Sequence, residues 1–410
     1  MLRIKPFDAL RPTPENAPRV ASVPYDVVNR DEAAELASGN PASFLHIVRS
    51  EIDLPADVNP YDDAVYAKAR ENLDRFQAEG LLTREGQECI YLYRQSTERT
   101  SQTGVVCCCH IDDYEADIIK KHEKTRKAKE DDRTRHVLTL NANTGPVFLT
   151  YRDRDDINDL MTADMSEEPL IDFHAPDEVR HTIWRVKNAD PYVKAFAQIP
   201  VAYVADGHHR SASAWRAGQE RRKADPAHDS NKEYNWFLAV LFPAGNLTIM
   251  AYNRVIKDLN GFSADDVLDR LRTMGTISQT QSPYPDSKHS FCFYFGNNVW
   301  YRFDIDPSLI DESDAVRSLD VALLQDRIIE PLFGIQDPRT DERIDFVGGI
   351  RGAGELKRRV DSGDWACAVS MYPTEVEDLM GVADAGQIMP PKSTWFEPKL
   401  RSGLLVHTLD

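Results

Sequence analysis

The residues best suited to chemistry form one short turn, Asp206-Gly207-His208-His209-Arg210. The apolar run 199–205 predicts a strand before this turn, and residues 211–217 predict a helix after it. A helix N-terminus presents main-chain N–H groups and the positive end of the helix dipole, so the turn favours an anion. Arg210 offers paired donors that match phosphate oxygens, and Asp206 is a candidate to hold magnesium or orient an imidazole. The alternative is an ordinary helix start with surface histidines.

The charged run 120–136 is a second candidate, because Ala128 is its only apolar residue. If the run is helical, one face carries five residues that could line a pocket for a polyanion: His122, Thr125, Arg126, Lys129 and Arg133. The alternative is a helix whose charges simply face solvent. A zinc motif of the H-E-x-x-H type is excluded at His122-Glu123, since Arg126 stands where the second histidine belongs.

A third candidate lies near the end of the chain, at residues 389–399. Lys392, Ser393 and Thr394 form a polar tip between prolines and aromatic residues, and they are candidate phosphate or nucleotide ligands. The alternative is a packing loop anchored by Trp395 and Phe396. The phosphate loop of P-loop kinases, the glycine-rich dinucleotide motif and the nucleophile elbow of hydrolases are all missing from the sequence.

Composition limits the classes of protein that fit. The 410 residues include 49 basic and 67 acidic side chains, and 49 − 67 gives a net charge of −18. This charge argues against a protein that mainly coats nucleic acid or an anionic membrane. We expect no membrane span and no secretory signal, because no apolar run is long enough and the start is rich in charge and proline. Six cysteines, three of them adjacent, do not suggest a disulfide framework, so we expect a cytoplasmic protein.

The predicted elements indicate an α+β fold rather than regular βαβ winding. Asn29 with Glu32 predicts a capped helix, and apolar residues at helical spacing predict another over 61–80. Three β-hairpins are predicted, from 90–93 with 104–111, 236–242 with 247–252, and 291–295 with 299–305. We predict a core domain over 1–255 and a C-terminal α+β domain over 256–410, whose segment 389–399 returns to the core site.

Taken together, these motifs resemble the family DUF1015 from end to end. The matching pieces occur in one order along the chain: Pro24-Tyr25-Asp26, Asn40-Pro41, His122-Glu123-Lys124-Thr125 with Lys129 and Asp132-Arg133, the segment 143–148, the turn 206–210, Asn253-Arg254-Val255, Ile344-Asp345-Phe346 and the closing segment 389–399.

The family is in turn similar to free-serine kinases of the SerK type, which have a ParB/sulfiredoxin-like core. This resemblance implies phosphoryl transfer between ADP or ATP and free L-serine, or the reverse reaction from O-phosphoserine, with magnesium as the expected metal. It implies that His209 and Arg210 bind phosphate oxygens at the G-x-H-R turn, where Gly207 permits close approach of the backbone, and that Asp206 or Glu123 binds magnesium or accepts the serine proton. The catalytic candidates are Asp206, His208, His209 and Glu123. His208 stands where sulfiredoxins carry their reactive cysteine, so sulfiredoxin chemistry is not expected. Arg126, Lys129 and Arg133 would steady the nucleotide or phosphoserine, and Lys392 would close the site.

Two other functions stay open at this point. A nucleotide-binding regulatory protein would keep the phosphate site without turnover, and a phosphoserine phosphatase would use the same cationic pocket without a nucleotide. We expect a small-molecule substrate and a nucleotide as partners, with neither nucleic acid nor membrane. The oligomeric state does not follow from the sequence.

Overall fold

The computed structural model describes residues 1–410 and contains helices and strands in mixed sheets, which confirms the α+β prediction. The strands are, in chain order, β1 (Ile4–Lys5), β2 (Leu10–Arg11), β3 (Thr83–Arg84), β4 (Tyr91–Ser96), β5 (Ser101–His110), β6 (Ile119–Lys120), β7 (Ala142–Asn143), β8 (Val147–Tyr151), β9 (Ile171–His174), β10 (Arg180–Arg185), β11 (Ala202–Asp206), β12 (Trp236–Pro243), β13 (Ile249–Met250), β14 (Tyr252–Ile256), β15 (Gly275–Thr280), β16 (Ser290–Tyr294), β17 (Trp300–Ile305), β18 (Ile344–Gly348), β19 (Cys367–Met371), β20 (Trp395–Phe396) and β21 (His407–Thr408).

The α-helices are α1 (Ala17–Val20), α2 (Arg30–Ala37), α3 (Leu45–Val48), α4 (Asp63–Ala78), α5 (Ile111–Glu115), α6 (Lys127–Leu140), α7 (Asp155–Asp164), α8 (Asp190–Phe196), α9 (His208–Ala224), α10 (Ala264–Arg272), α11 (Asp320–Leu324), α12 (Gly352–Asp361) and α13 (Val376–Asp384). A π-helix, Gln325–Phe333, follows α11. None of the helices has both the length and the apolar character needed to cross a bilayer.

The chain divides into two compact units. The first comprises Met1–Leu247 with Pro398–Asp410, and the second comprises Thr248–Glu397. The predicted domain boundary at residue 255, and the return of segment 389–399 to the core site, stay predictions.

A mixed sheet forms the centre of the first unit. Its strand order is β6-β11-β8-β12-β5-β4-β10-β9, with β1 added to β5. Two neighbouring pairs, β11 with β6 and β12 with β8, are parallel, and the others are antiparallel. Apolar side chains from these strands pack beneath the helices, as in the core cluster that contains Leu149, Val204 and Leu241. The sheet thereby fixes the carboxyl end of β11, where the candidate turn begins.

Local sequence signals explain several elements of the first unit. Asn29 caps α2 in a reciprocal capping box with Glu32, as predicted. In α4 the predicted apolar stripe is buried: Val65, Ala69, Leu73 and Phe76. The cysteine triplet lies fully buried near the carboxyl end of β5, and β4 and β5 form the first predicted hairpin.

The second predicted hairpin, from 236–242 with 247–252, is wrong. Strand β12 begins at Trp236 as expected, but it pairs with β5 and β8 inside the first unit. The residues after the turn do not pair back onto β12, because β13 pairs with β20 and β14 pairs with β18 and β19. The tertiary partners of β12 on both sides therefore override its local hairpin signal.

The second unit is built on an antiparallel sheet of six strands. The strand order is β15-β17-β16-β19-β14-β18, and β16 with β17 forms the third predicted hairpin. Helix α12 packs on one face of this sheet through Leu356, against a cluster that includes Val255, Cys292 and Val347.

Candidate functional site

The turn between β11 and α9 has the strand, turn and helix that the sequence predicted. Strand β11 ends at Asp206, Gly207 adopts the left-handed φ of +91°, and α9 runs for 17 residues from His208. A Cβ atom on Gly207 would lie 3.1 Å from Nε of Arg210. Two features therefore favour glycine at this position: the left-handed backbone conformation and the close approach of the Arg210 guanidinium.

Arg210 is the buried cation of this turn, with 10% of its side chain exposed. One terminal nitrogen donates to the carbonyl oxygen of Pro146, and the other donates to Oδ2 of Asp206 at 3.2 Å and lies 3.8 Å from Oδ2 of Asp26. Nε is buried and has no hydrogen-bond partner. Burial lowers the pKa of Arg210, but Asp26 and Asp206 outweigh it and raise the pKa above its usual value. The guanidinium is thus charged, and its buried Nε–H is unused, which is a costly arrangement unless a ligand accepts from it.

Two buried imidazoles lie beside the turn. The rings of His122 and His208 meet edge to face with centroids 4.5 Å apart. Nδ1 of His122 and Nε2 of His208 are buried and lack partners. Burial lowers the pKa of His122 to about 4 and that of His208 well below its usual value, so both rings are neutral at neutral pH. A neutral imidazole has one N–H donor and one acceptor nitrogen, and each ring can therefore give a ligand one hydrogen bond without adding charge.

The carboxylate of Asp206 is held between two cations. Nζ of Lys399 lies 3.6 Å from Oδ1, while Arg210 binds Oδ2. Burial raises the pKa of Asp206, but Lys399 and Arg210 outweigh burial and lower it to about 2. Asp206 is therefore ionised and a weak base at neutral pH, and it positions Arg210.

The predicted single helical face over 120–136 is wrong. Helix α6 begins only at Lys127, and Arg126 is its N-cap with extended backbone. His122, Thr125 and Arg126 consequently lie in the loop that enters the helix. The run lacks apolar periodicity, so the sequence carried no signal for where the helix starts.

This loop is nevertheless attached to the candidate turn. The main-chain N–H of Arg126 donates to Nε2 of His209 at 3.0 Å. Oε2 of Glu123 lies 3.6 Å from Nδ1 of His208, and the Glu123 side chain is 55% exposed. The hydroxyl of Thr125 donates to Glu130 within the first turn of α6. The structure thus brings the loop residues His122, Glu123 and Arg126 to the turn, whereas Thr125 serves the helix.

Arg133 is the second arginine of the site. Its guanidinium stacks on the ring of Tyr25 at 4.2 Å, and its Nε donates to Oδ2 of Asp132 at 2.9 Å. Arg133 and Arg210 line the same cavity, together with Tyr25. The remaining polar lining residues are His136, Asn143, Thr144, Ser213 and Ser402. Lys129 lies instead over the ring of Tyr61 at 5.8 Å.

Sequence reasoning missed three contributors to this geometry. Asp26 and the Pro146 carbonyl hold Arg210, and Lys399 holds Asp206. All three lie in segments that carried the family resemblance, which was the one signal that could have indicated them. Lys399 ends the candidate segment 389–399, but the residues selected from that segment were Lys392, Ser393 and Thr394.

Those three residues belong to the second unit. Nζ of Lys392 lies 3.4 Å from the hydroxyl of Tyr252, and the hydroxyl of Ser393 donates to the carbonyl of Pro390. Their role as phosphate or nucleotide ligands stays a prediction.

A model of the family described as "Protein of unknown function (DUF1015)" matches residues 4–322, which is more than half of the chain. The chain belongs to the DUF1015 family. The family resemblance predicted from the motifs is thereby confirmed. No curated protein matches this member of the family.

Among solved structures, the DUF1015 chain is similar to a free serine kinase in complex with AMP, at 11% identity and a TM-score of 0.35, over 74% of this chain and 91% of that one. It is similar to SbnI with a C-terminal truncation from Staphylococcus aureus, at 10% identity and a TM-score of 0.38, over 74% and 87%. A conserved hypothetical protein from Pyrococcus furiosus matches at 12% identity and a TM-score of 0.34, over 74% and 94%. The ParB/sulfiredoxin-like label for the core stays a prediction.

Proposed function

We propose that this chain is a nucleotide-dependent phosphotransferase acting on free L-serine or O-phosphoserine, with the turn at 206–210 as the seat of the phosphoryl group. The observation that carries the proposal is the buried Nε of Arg210, a charged donor without a partner at the start of a long helix. A phosphate oxygen would satisfy this donor and meet the positive end of the helix dipole. The nucleotide and serine come from the resemblance to free-serine kinases.

Phosphoryl transfer requires positioning and neutralisation of charge more than covalent chemistry from the protein. In the proposed reaction the serine Oγ forms a bond to the terminal phosphorus, and the bond from that phosphorus to the bridging oxygen of the nucleotide breaks. Arg210 and Arg133 would share the negative charge of the phosphates, since both line one cavity. Neutral His122 and His208 would each donate or accept one hydrogen bond at the turn, through the ring nitrogens that lack partners.

We assign the serine hydroxyl proton to Glu123 rather than to Asp206. Asp206 is paired with Lys399 and Arg210 and has a pKa of about 2, which makes it a weak base. Glu123 lies next to His208 and is more exposed, so that a substrate can reach its carboxylate.

Magnesium would be held chiefly by the substrate phosphates, because Asp206 is paired with Lys399 and Arg210 and Glu123 is assigned the serine proton. No group of three or more His, Cys, Asp or Glu side chains in the chain is arranged to hold a metal ion. Magnesium in phosphoryl-transfer sites is commonly bound by one or two carboxylates together with the substrate phosphates, so such a group is not required. When bound, the ion would neutralise phosphate charge, with the substrate phosphates as its main ligands.

Nucleotide binding without turnover is the second candidate function. The ion pairs of Asp206 favour it, because they leave the turn rich in donors but without a strong base of its own. A phosphoserine phosphatase would use the same cations without a nucleotide.

One product assay separates the three functions. The protein is incubated with L-serine plus ATP or ADP, and with O-phosphoserine plus ADP or AMP, and phosphorus NMR follows both directions. Transfer that requires both partners supports the proposal. Nucleotide binding without transfer in either direction would overturn it in favour of a binding protein, and phosphate release from O-phosphoserine alone would select the phosphatase.

A further inference from the structure

The second unit contains a buried arginine with no acidic partner. Arg254 lies in β14 and is 4% exposed. One terminal nitrogen donates to the main-chain carbonyl of Tyr252, and the other donates to the carbonyl of Lys392 at 3.2 Å. The guanidinium also lies over the ring of Phe346 at 4.9 Å. No carboxylate pairs with it.

The contrast with the other buried arginines of the molecule is clear. Arg210 lies beside Asp26 and Asp206, Arg133 is bonded to Asp132, and Arg401 is paired with Asp177. Carbonyl dipoles and an aromatic ring offset part of the desolvation of Arg254, but they supply no net negative charge. Burial lowers the pKa of Arg254 to about 9, so the guanidinium is still protonated at neutral pH. A buried positive charge of this kind indicates that an anion belongs next to it.

Lys392 provides a second cation near Arg254, because both side chains contact Tyr252. Its carbonyl accepts from Arg254, and its ammonium lies 3.4 Å from the hydroxyl of Tyr252 and 5.2 Å from the centre of that ring. Lys392 also adopts a left-handed φ of +58°, which is uncommon for a residue other than glycine. Such conformations persist where the surrounding structure requires them, and they concentrate at ligand sites.

We propose that Arg254 and Lys392 form an anion site in the second unit that takes the phosphate group of a small molecule. Two cations match a phosphate dianion better than a carboxylate, and the planar guanidinium can bind two of its oxygens. The aromatic rings of Tyr252 and Phe346 would shield the site from water. This proposal does not depend on the proposed function, since none of these residues belongs to the 206–210 turn.

The test counts phosphate sites in the full-length protein by isothermal titration with inorganic phosphate. The titrations are made in an Arg210→Ala background, which removes the site of the first unit from the count. We expect one site to remain, and Lys392→Met should weaken it about 10-fold or more, the loss that corresponds to one charge-assisted hydrogen bond. Lys257→Met is the matched control, because Lys257 is an exposed lysine that follows the same strand.

Arg254→Lys keeps the charge but loses the guanidinium fork, and we expect it to bind phosphate more weakly than the parent and more tightly than Arg254→Met. If an Arg254 variant fails to fold, Lys392→Met still tests the proposal, since Lys392 is exposed and its replacement does not disturb the core. Unchanged phosphate affinity in folded Lys392→Met, or no remaining site in the Arg210→Ala background, would overturn the proposal. Repeating the titration with O-phosphoserine, L-serine and acetate identifies the group recognised. Tighter binding of acetate than of phosphate would also overturn it.

Discussion

Lys399 and Asp206 form an ion pair in the candidate site, with Nζ 3.6 Å from Oδ1, although they lie in the two separate chain segments that make up the first unit. The pair ties the C-terminal segment of this unit to the end of β11. Because Asp206 also binds Arg210, the ion pair indirectly positions the guanidinium that we assign to phosphate. The site therefore depends on a residue that follows the second unit in the sequence.

Replacing Lys399 tests this dependence. In Lys399→Met the partly buried Asp206 carboxylate loses the ammonium that lies beside it and keeps only Arg210. We expect the free energy of unfolding at pH 7 to fall by about 1–3 kcal/mol. The folded-state pKa of Asp206 is depressed, so its contribution is present above the unfolded value of about 3.9 and is lost as the pH falls towards 2. Denaturant unfolding between pH 7 and pH 2 measures both effects. Lys399→Arg should retain most of the stability, and equal stability of the Met variant and the wild type would contradict the ion pair's role.

Arg210→Lys isolates the guanidinium geometry from its charge. Lysine preserves a cation next to Asp206 but cannot supply Nε–H together with two terminal donors. We expect nucleotide affinity to fall about 10- to 150-fold with little change in melting temperature. Arg99→Lys, at an exposed position in the turn between β4 and β5, is the control. Wild-type affinity in a folded Arg210→Lys protein would remove this residue from the site.

Gly207→Ala tests the geometry of the turn itself. The new Cβ would be strained at φ +91° and would meet Nε of Arg210. We expect a loss of about 1–3 kcal/mol in stability together with weaker nucleotide binding. Gly381→Ala provides a matched comparison, because Gly381 lies inside α13 with open space around its Cβ position and should tolerate alanine. Equal effects of the two substitutions would show that the left-handed turn has no special role.

Glu123→Gln separates nucleotide binding from phosphoryl transfer. The amide keeps the size of the side chain but cannot accept the serine proton. We expect nucleotide affinity to stay within about 3-fold of the wild type, while the transfer rate falls at least 100-fold, as is typical of losing a general base. A rate close to that of the wild type would shift the role of base away from Glu123.

The buried histidines predict a pH dependence of stability. Burial lowers the folded-state pKa of His122 to about 4 from the ordinary 6.5, so the unfolded chain binds its proton first. Stability is therefore fully present above pH 6.5 and declines as the pH falls towards 4, by roughly 3 kcal/mol from this residue. Unfolding curves of His122→Asn should show a flatter decline, whereas His174→Asn, at an exposed position, should follow the wild type. If the stability of the wild type, His122→Asn and His174→Asn declined equally with falling pH, the buried neutral state of His122 would be contradicted.

Local chemistry explains what could be predicted from the sequence. An apolar strand, a glycine and a helix are adjacent in the sequence, and the turn from Asp206 to Arg210 followed from them. The capping box at Asn29 and the stripe in α4 are equally local. Asp26 and Lys399 could not be identified in this way, because tertiary folding alone brings them to the turn. The start of α6 at Lys127 was missed because a run of charges has no apolar period, and the hairpin after β12 was wrong because strand pairing is a long-range property.

The most direct test of the phosphate seat is a crystal structure of the full chain grown with ADP. We predict a phosphate oxygen within about 3 Å of Nε of Arg210, the normal hydrogen-bond distance, with the other phosphate in the cavity that Arg210 shares with Arg133. ADP bound with its phosphates elsewhere, and Nε of Arg210 still without a partner, would contradict it.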